Sequence, residues 1–227
     1  MTTTEVSVER DLQAERKAAA TAFRDGLARR GIFCLNVISS PGAGKTTLLQ
    51  AMAKHWQGRR KMAVLVGDIA TDRDAKRLEP LVAVKQLTTG GACHLALALV
   101  ERGLAALDLD GVEFLVIENV GNLVCPSSHD LGEHLRVVVL SVTEGDDKPG
   151  KYPKAFRTSQ ACVINKIDLV EHVPFSVEAA TADARLIQPE IAVFPVSAWK
   201  ETGIAAWCRH LELARDALLG THAHQQQ

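Results

Sequence analysis

The amino-acid sequence predicts an α/β fold, a doubly wound and mostly parallel sheet with helices on both faces. Two observations carry that prediction: short β-branched runs recur along the chain with helical patterns between them, and the runs are apolar throughout instead of alternating. Strands buried on both faces read this way, and the helices supply the crossovers that parallel pairing needs. The 227 residues suffice for one such domain and are short for two.

Taken in order, residues 7–30 read as an exposed helix that stops near Gly31, and residues 1–30 form an N-terminal helical extension. Strands are expected over 33–38, 62–66, 84–87, 113–117, 136–142, 161–165 and 191–196, where Val, Ile, Leu and Phe dominate. Helices are expected over 45–56, 74–78, 93–106, 177–187 and 201–219. Residues 31–220 then make one domain, and the terminal THAHQQQ, 221–227, reads as a disordered tail. Lysine and arginine total 26 against 27 acidic residues, so the basic footprint of a nucleic-acid binder is missing. The N-terminus is polar, without a signal peptide's apolar core, and no apolar run approaches the roughly 20 residues that span a bilayer. A cytoplasmic location, with no membrane partner, is the default reading. The 5 cysteines lack regular spacing, which argues against a disulfide scaffold. Cys34, Cys162 and Cys208 read as buried apolar residues, whereas Cys93 and Cys125 fall in loop-like positions flanked by Gly or Pro.

The segment SSPGAGKT follows the first expected strand and opens the first expected helix. It matches the phosphate-binding P-loop pattern, with Ser39 in place of the leading glycine. Gly42, Ala43, Gly44, Lys45, Thr46 and Thr47 form the expected phosphate set. The two glycines let backbone N–H groups curl around phosphate, Lys45 reaches the terminal phosphates and Thr46 offers its hydroxyl to Mg²⁺. Asn165, Lys166 and Asp168 stand in NKID, after an apolar strand. A carboxylate there can accept both N1–H and N2–H of guanine, which adenine does not offer, and Ser197 and Ala198 resemble the cap of a guanine pocket. These segments together point to GTP and GDP as the nucleotides. Glu118 and Gly121 in ENVG resemble the element that meets Mg²⁺ and the γ-phosphate. Asp68 is expected, like Glu118, on or near Mg²⁺, directly or through water. Asp72 is the alternative to Asp68, or a residue orienting the attacking water. Lys45, Asp68, Asp72 and Gly121 are thus the expected catalytic set. No glutamine stands out to position water, so intrinsic turnover is expected to be slow.

Cys93 and His94 precede one expected helix, and Cys125 follows the Glu118 strand. In an open parallel sheet both segments leave carboxyl ends of strands, where ligands gather. Two thiolates and an imidazole suit Ni²⁺ or Zn²⁺, and a two-fold dimer could complete the shell. His129 is a possible additional ligand and otherwise a surface histidine.

SSPGAGKTT, GDIATDRDA, TGGACH, IENVGNLVCP, SVTEGDDKPGKYP and NKIDL together resemble the HypB-type hydrogenase nickel-incorporation GTPases, from about residue 31 to 203. The resemblance implies a cytoplasmic GTPase of the SIMIBI class that assists nickel delivery to the large subunit of [NiFe]-hydrogenase. It also implies a small zinc-binding HypA-type partner, a homodimer when GTP is bound, and Cys93, His94 and Cys125 as metal ligands at the dimer interface. Two departures stand out. Residues 1–30 hold neither histidine nor cysteine, so a nickel store there is not supported, and Gly150 falls where a bulkier residue is expected before Lys151. A urease-accessory GTPase, a non-catalytic metal scaffold and an ATP-driven partitioning ATPase are the competing readings. The missing Cys-Pro-His string, since Ser127 follows Pro126, counts against the first, and Asn165 through Asp168 count against the last.

Overall fold

The computed structural model describes residues 3–68 and 72–225, with side chains over 11–68 and 72–221. Seven strands form one sheet in the order β3-β2-β4-β1-β5-β6-β7: β1 (Phe33–Ser39), β2 (Met62–Asp68), β3 (Ala83–Thr88), β4 (Phe114–Gly121), β5 (Leu135–Ser141), β6 (Ala161–Asn165) and β7 (Ala192–Pro195). Every pairing in the sheet is parallel. Eight α-helical segments are described: α1 (Thr3–Arg29), α2 (Lys45–Trp56), α3 (Arg73–Leu78), α4 (Leu97–Leu104), α5 (Lys148–Lys151), α6 (Pro153–Arg157), α7 (Val177–Ile187) and α8 (Ile204–Gln225).

Both faces of the sheet are covered, which is why the central strands carry apolar residues at every position. On one face, β1, β2 and β4 pack beneath α2 and α8, where Trp56 stacks on Phe114 at 4.3 Å and the Trp207 indole N–H points at Met52 Sδ, 3.3 Å away. On the other, Leu27 of α1 and Val100 of α4 join Leu65, Leu115 and Ile117. A third apolar group gathers Phe156, Ala180 and Ala184 over β5 and β6. Because β1 connects toward β2 on one side and β4 connects toward β5 on the other, the direction of the connections reverses at the adjacent strands β1 and β4. In such sheets the crevice at the carboxyl ends beside that reversal receives ligands. Among the described residues no helix is long and apolar enough to cross a membrane.

Four expectations need correction. The helix expected over 93–106 starts only at Leu97, because Gly90 and Gly91 adopt φ of 63° and 102° and the Thr89 hydroxyl donates to Ala92 O. Cys93 and His94 are therefore loop residues. The helix expected over 201–219 starts at Ile204, after Glu201 and Gly203 turn at positive φ, and a Cβ on Gly203 would strike Pro195 O at 2.5 Å. It also runs on to Gln225, so residues 221–225 continue a helix where a disordered tail is expected; 226 and 227 lie outside the described residues. Finally, β4 reaches Gly121 and carries Glu118 inside the sheet instead of beyond its end.

Candidate functional site

The loop between β1 and α2 turns at Gly42 and Gly44, with φ of 77° and 92°. Glycine at 44 is required twice over, since a Cβ there would lie 2.5 Å from Asn165 Nδ2 as well as forcing a left-handed residue. Lys45 is buried, and its ammonium donates to Ser39 Oγ at 2.8 Å. The serine that departs from the glycine pattern thus gives the lysine a partner. Burial lowers the Lys45 pKa, and Glu118, Asp74, Glu144 and Asp68 oppose that in decreasing order.

Adjacency of β1 and β4 places the Thr46 hydroxyl 2.7 Å from Glu118 Oε1, to which it donates. The other oxygen, Oε2, is buried and has no hydrogen-bond partner among the described residues. Burial pushes the Glu118 pKa up to about 7, against the pull of Lys45 and the Thr46 hydrogen bond. A hydroxyl beside a buried carboxylate with one oxygen unspent is a donor set fitted to a hard divalent cation. Gly121 pairs in register with Ser39, and a Cβ there would press on Pro41 at 3.1 Å, so its backbone meets the loop directly. Thr47 accepts from Arg77 at 3.1 Å.

The acidic residues divide differently from the sequence reading. Asp68 ends β2, on the same edge, and its charge reaches Lys45. Asp72 is exposed and forms an ion pair with Lys76 at 2.8 Å, whose hydrogen bond lowers the Asp72 pKa. Asp74 and Glu144, which sequence reasoning did not single out, both act electrostatically on Lys45, and Asp74 acts on Glu118 as well. The Glu144 carboxylate is buried and its pKa is raised by burial, countered by Ser40, Lys148, Lys166 and Lys45. Asp74 lies in GDIATDRDA, in the first turn of α3, and Glu144 in TEGDD, just past β5, the apolar strand beside β1. Residues 69–71 of the first segment lie outside the described residues.

The NKID segment closes over the phosphate loop. Asn165 donates to Ala43 O at 3.0 Å and accepts from the N–H groups of Lys166 and Ala198, at 2.8 and 3.1 Å. Lys166 takes a left-handed φ of 63°, and its ammonium donates to Gly42 O at 2.7 Å. Ser197 donates to Asp168 Oδ1 at 2.5 Å, which fixes the half-buried carboxylate. Asn165 and Lys166 thus hold loop to loop, and hydrogen bonds tie the Ser197–Ala198 segment to both Asp168 and Asn165.

The loops after β3 and β4 meet on the same edge. Cys93, His94 and Cys125 each place a ligand atom within 4.8 Å of the other two. Asn122 donates to Cys93 O at 3.4 Å, across the two loops. A hydrogen bond with Cys125 raises the Cys93 pKa, while burial and then His129 lower that of His94. His129 is not among these three ligands; its ring stacks on His94 at 3.7 Å.

A family model described as the CobW/HypB/UreG nucleotide-binding domain matches residues 34–195. The chain belongs to the HypB group of this family. It is 44% identical over 216 residues to the hydrogenase maturation factor HypB of Azotobacter chroococcum, covering 94% of this chain and 70% of the relative. It is 41% identical over 213 residues to that of Escherichia coli, covering 93% and 73%. Among solved structures it is similar to HypB from Helicobacter pylori in complex with nickel, with a TM-score of 0.84 and 37% identity over 89% of this chain and 96% of the other. Archaeoglobus fulgidus HypB gives 0.82 and 34% over 89% and 99%. The signal recognition particle receptor FtsY from Elizabethkingia anophelis, at 0.56 and 13%, covers 76% of this chain and 61% of that one and shares the fold alone. This HypB-family chain is thus a P-loop nucleotide-binding protein of SIMIBI architecture.

Proposed function

We propose that this chain is a Mg²⁺-dependent GTPase that assists nickel insertion into [NiFe]-hydrogenase in the cytoplasm, dimerising when GTP binds. One observation carries the reading: a phosphate loop with an unspent buried carboxylate and a cluster of two thiols and an imidazole leave the same edge of one sheet. Thr46 and Glu118 would hold Mg²⁺, with Asp68 near it; the ion would supply positive charge that offsets the charge of the β- and γ-phosphates. Lys45 neutralises the terminal phosphates and Gly121 offers its N–H to the γ-phosphate, while Asp72, whose carboxylate is paired with Lys76 in solvent, stands outside the catalytic set. The glycine-rich turn and Thr47 bind phosphate, and Asp168, supported by Ser197 and Ala198, selects guanine. Cys93, His94 and Cys125 bind the cargo, Ni²⁺ or Zn²⁺, with a second protomer completing the shell. The nickel-bound Helicobacter pylori relative supports nickel as the cargo. A HypA-type accessory protein and the hydrogenase large subunit are the partners, with no role for nucleic acid or membrane.

The test is Ni²⁺ and Zn²⁺ titration of nucleotide-free, GDP-loaded and GTP-analogue-loaded protein, with oligomeric state followed by light scattering and Cys125→Ala as the control. Metal stoichiometry that changes with nucleotide and disappears in Cys125→Ala is expected. Equal nickel affinity in the GTP-analogue and GDP forms would overturn nucleotide-controlled transfer.

A further inference from the structure

We propose that Arg136 is the positioning residue of the metal cluster; the inference rests on Cys93, His94 and Cys125 being a metal site. Cys125 lies at the start of a 3-10 turn, Pro126–Ser128, that returns the chain from β4 toward β5. Pro126 is buried and Leu123 just before it packs into the core, so apolar contacts hold one side of the turn. A second anchor is electrostatic. The Arg136 guanidinium, at 8% side-chain exposure, donates from Nη1 to Ser127 O at 3.0 Å and from Nη2 to His129 O at 2.6 Å. One rigid fork therefore grips two carbonyls in the segment after Cys125, a geometry that a planar five-donor group can supply and a point charge cannot.

The grip reaches both halves of the cluster. His129, held by its carbonyl, donates from Nδ1 to Cys125 O at 2.9 Å, because a carbonyl only accepts. Its ring then lies against His94 at 3.7 Å and 18° from parallel, packing the imidazole of the other loop. Arg136 itself is fixed to the sheet: its Nε donates to Glu133 Oε1 at 2.7 Å, the same oxygen accepts from Asn36 Nδ2 at 3.2 Å, and Asn36 Oδ1 accepts from Asn119 Nδ2 at 3.2 Å. Asn36, Asn119, Glu133 and Arg136 are all buried. A buried polar chain with its partners in place has few alternative arrangements, so it holds the cysteine turn at one distance from the facing loop. It starts from the residue next to Glu118 and ends on the cysteine turn.

The experiment is a Ni²⁺ titration of GDP-loaded Arg136→Lys, followed by thiolate-to-nickel charge-transfer absorption, with wild type and Cys125→Ala in parallel. Nickel affinity is expected to fall about 10- to 100-fold, as for other residues that orient metal ligands, with a changed absorption band and GTP affinity within about twofold of wild type. His129→Phe, which keeps a stacking ring, should retain more affinity than His129→Ala. If Arg136→Lys fails to bind nucleotide and so to fold, the charge-neutral pair Glu133→Gln with Arg136→Gln carries the same expectation. Wild-type binding that Cys125→Ala removes and the Arg136 variants match would overturn this role while leaving the metal site in place. No thiolate-bound nickel in wild type would overturn both.

Discussion

At the nucleotide end the decisive groups sit on or beside adjacent buried strands: Lys45, Thr46 and Glu118 are each less than a tenth exposed, and neighbouring backbone sets their spacing. At the cysteine cluster Cys93 is exposed, His94 and Cys125 are half-buried, and the loops are tied by Asn122 to Cys93 O and by Arg136 to Ser127 O. Rigid sheet geometry suits a site that must stabilise fixed charge, while a cluster split between two loops keeps its spacing only through the contacts that hold each loop. The difference teaches that the two ends should respond to mutation differently. At the first, changes to buried groups should cost the most; at the second, changes to the residues around the cluster should tune it, while loss of a clustered thiol removes it.

The sharpest way to break this contrast is at the base. Asp168→Asn removes the proposed acceptor for guanine, so GTP affinity should fall by ~10³-fold or more while xanthosine triphosphate gains, as expected when an acceptor paired with the base is changed. Competition binding with both nucleotides would reveal it, and an unchanged preference would remove Asp168 from base recognition. Lys45→Ala should follow, costing ~10²- to 10³-fold in single-turnover phosphate release with far-UV circular dichroism unchanged.

Glu118 offers a pH test of the buried end. Its folded pKa of about 7 lies above the ordinary carboxylate value. The sign is that of a raised acid: its contribution to stability is full below the ordinary pKa and is lost as pH rises toward 7. Melting curves of nucleotide-free, Mg²⁺-free protein should therefore show declining stability from about pH 4.5 to 7, a slope that Glu118→Gln lacks. By the same linkage, Mg²⁺ with nucleotide should displace a proton near pH 7, visible as buffer-dependent binding enthalpy in wild type only. The smallest effect separates two neighbouring acids. Asp74→Asn should lower Mg²⁺-dependent turnover by about tenfold, in the range of a lost charge-assisted contact, whereas Asp72→Asn, already paired with Lys76 in solvent, should change it by no more than about twofold. A larger loss at Asp72 would restore it to the catalytic set.

Much of the nucleotide end could be read from residue order because its parts are local. A strand, a glycine-rich turn and a helix start are contiguous, and glycine at 42 and 44 is dictated by backbone angles. Asp74 and Glu144 escaped notice because a charged residue just past a strand or at a helix start is ordinary until the distance to Lys45 is known. The helix start at 204 was displaced by a turn whose cause is tertiary, the close approach of Gly203 to Pro195 O, while that at 97 was displaced by a local glycine turn. The short helices at 148–157 gave no periodicity to read, since four or five residues make barely one turn.

By itself the sequence determined the parallel α/β class, the phosphate loop and the identity of the three side chains that cluster, Cys93, His94 and Cys125, because apolar runs, glycines and rare residue types are properties of single positions. Only the tertiary structure decided that β4 lies beside β1, so that Glu118 meets Thr46, and that Arg136 holds the turn after Cys125. Those relations join residues far apart in the chain, and strand order and burial, which no local pattern encodes, set the distances between them.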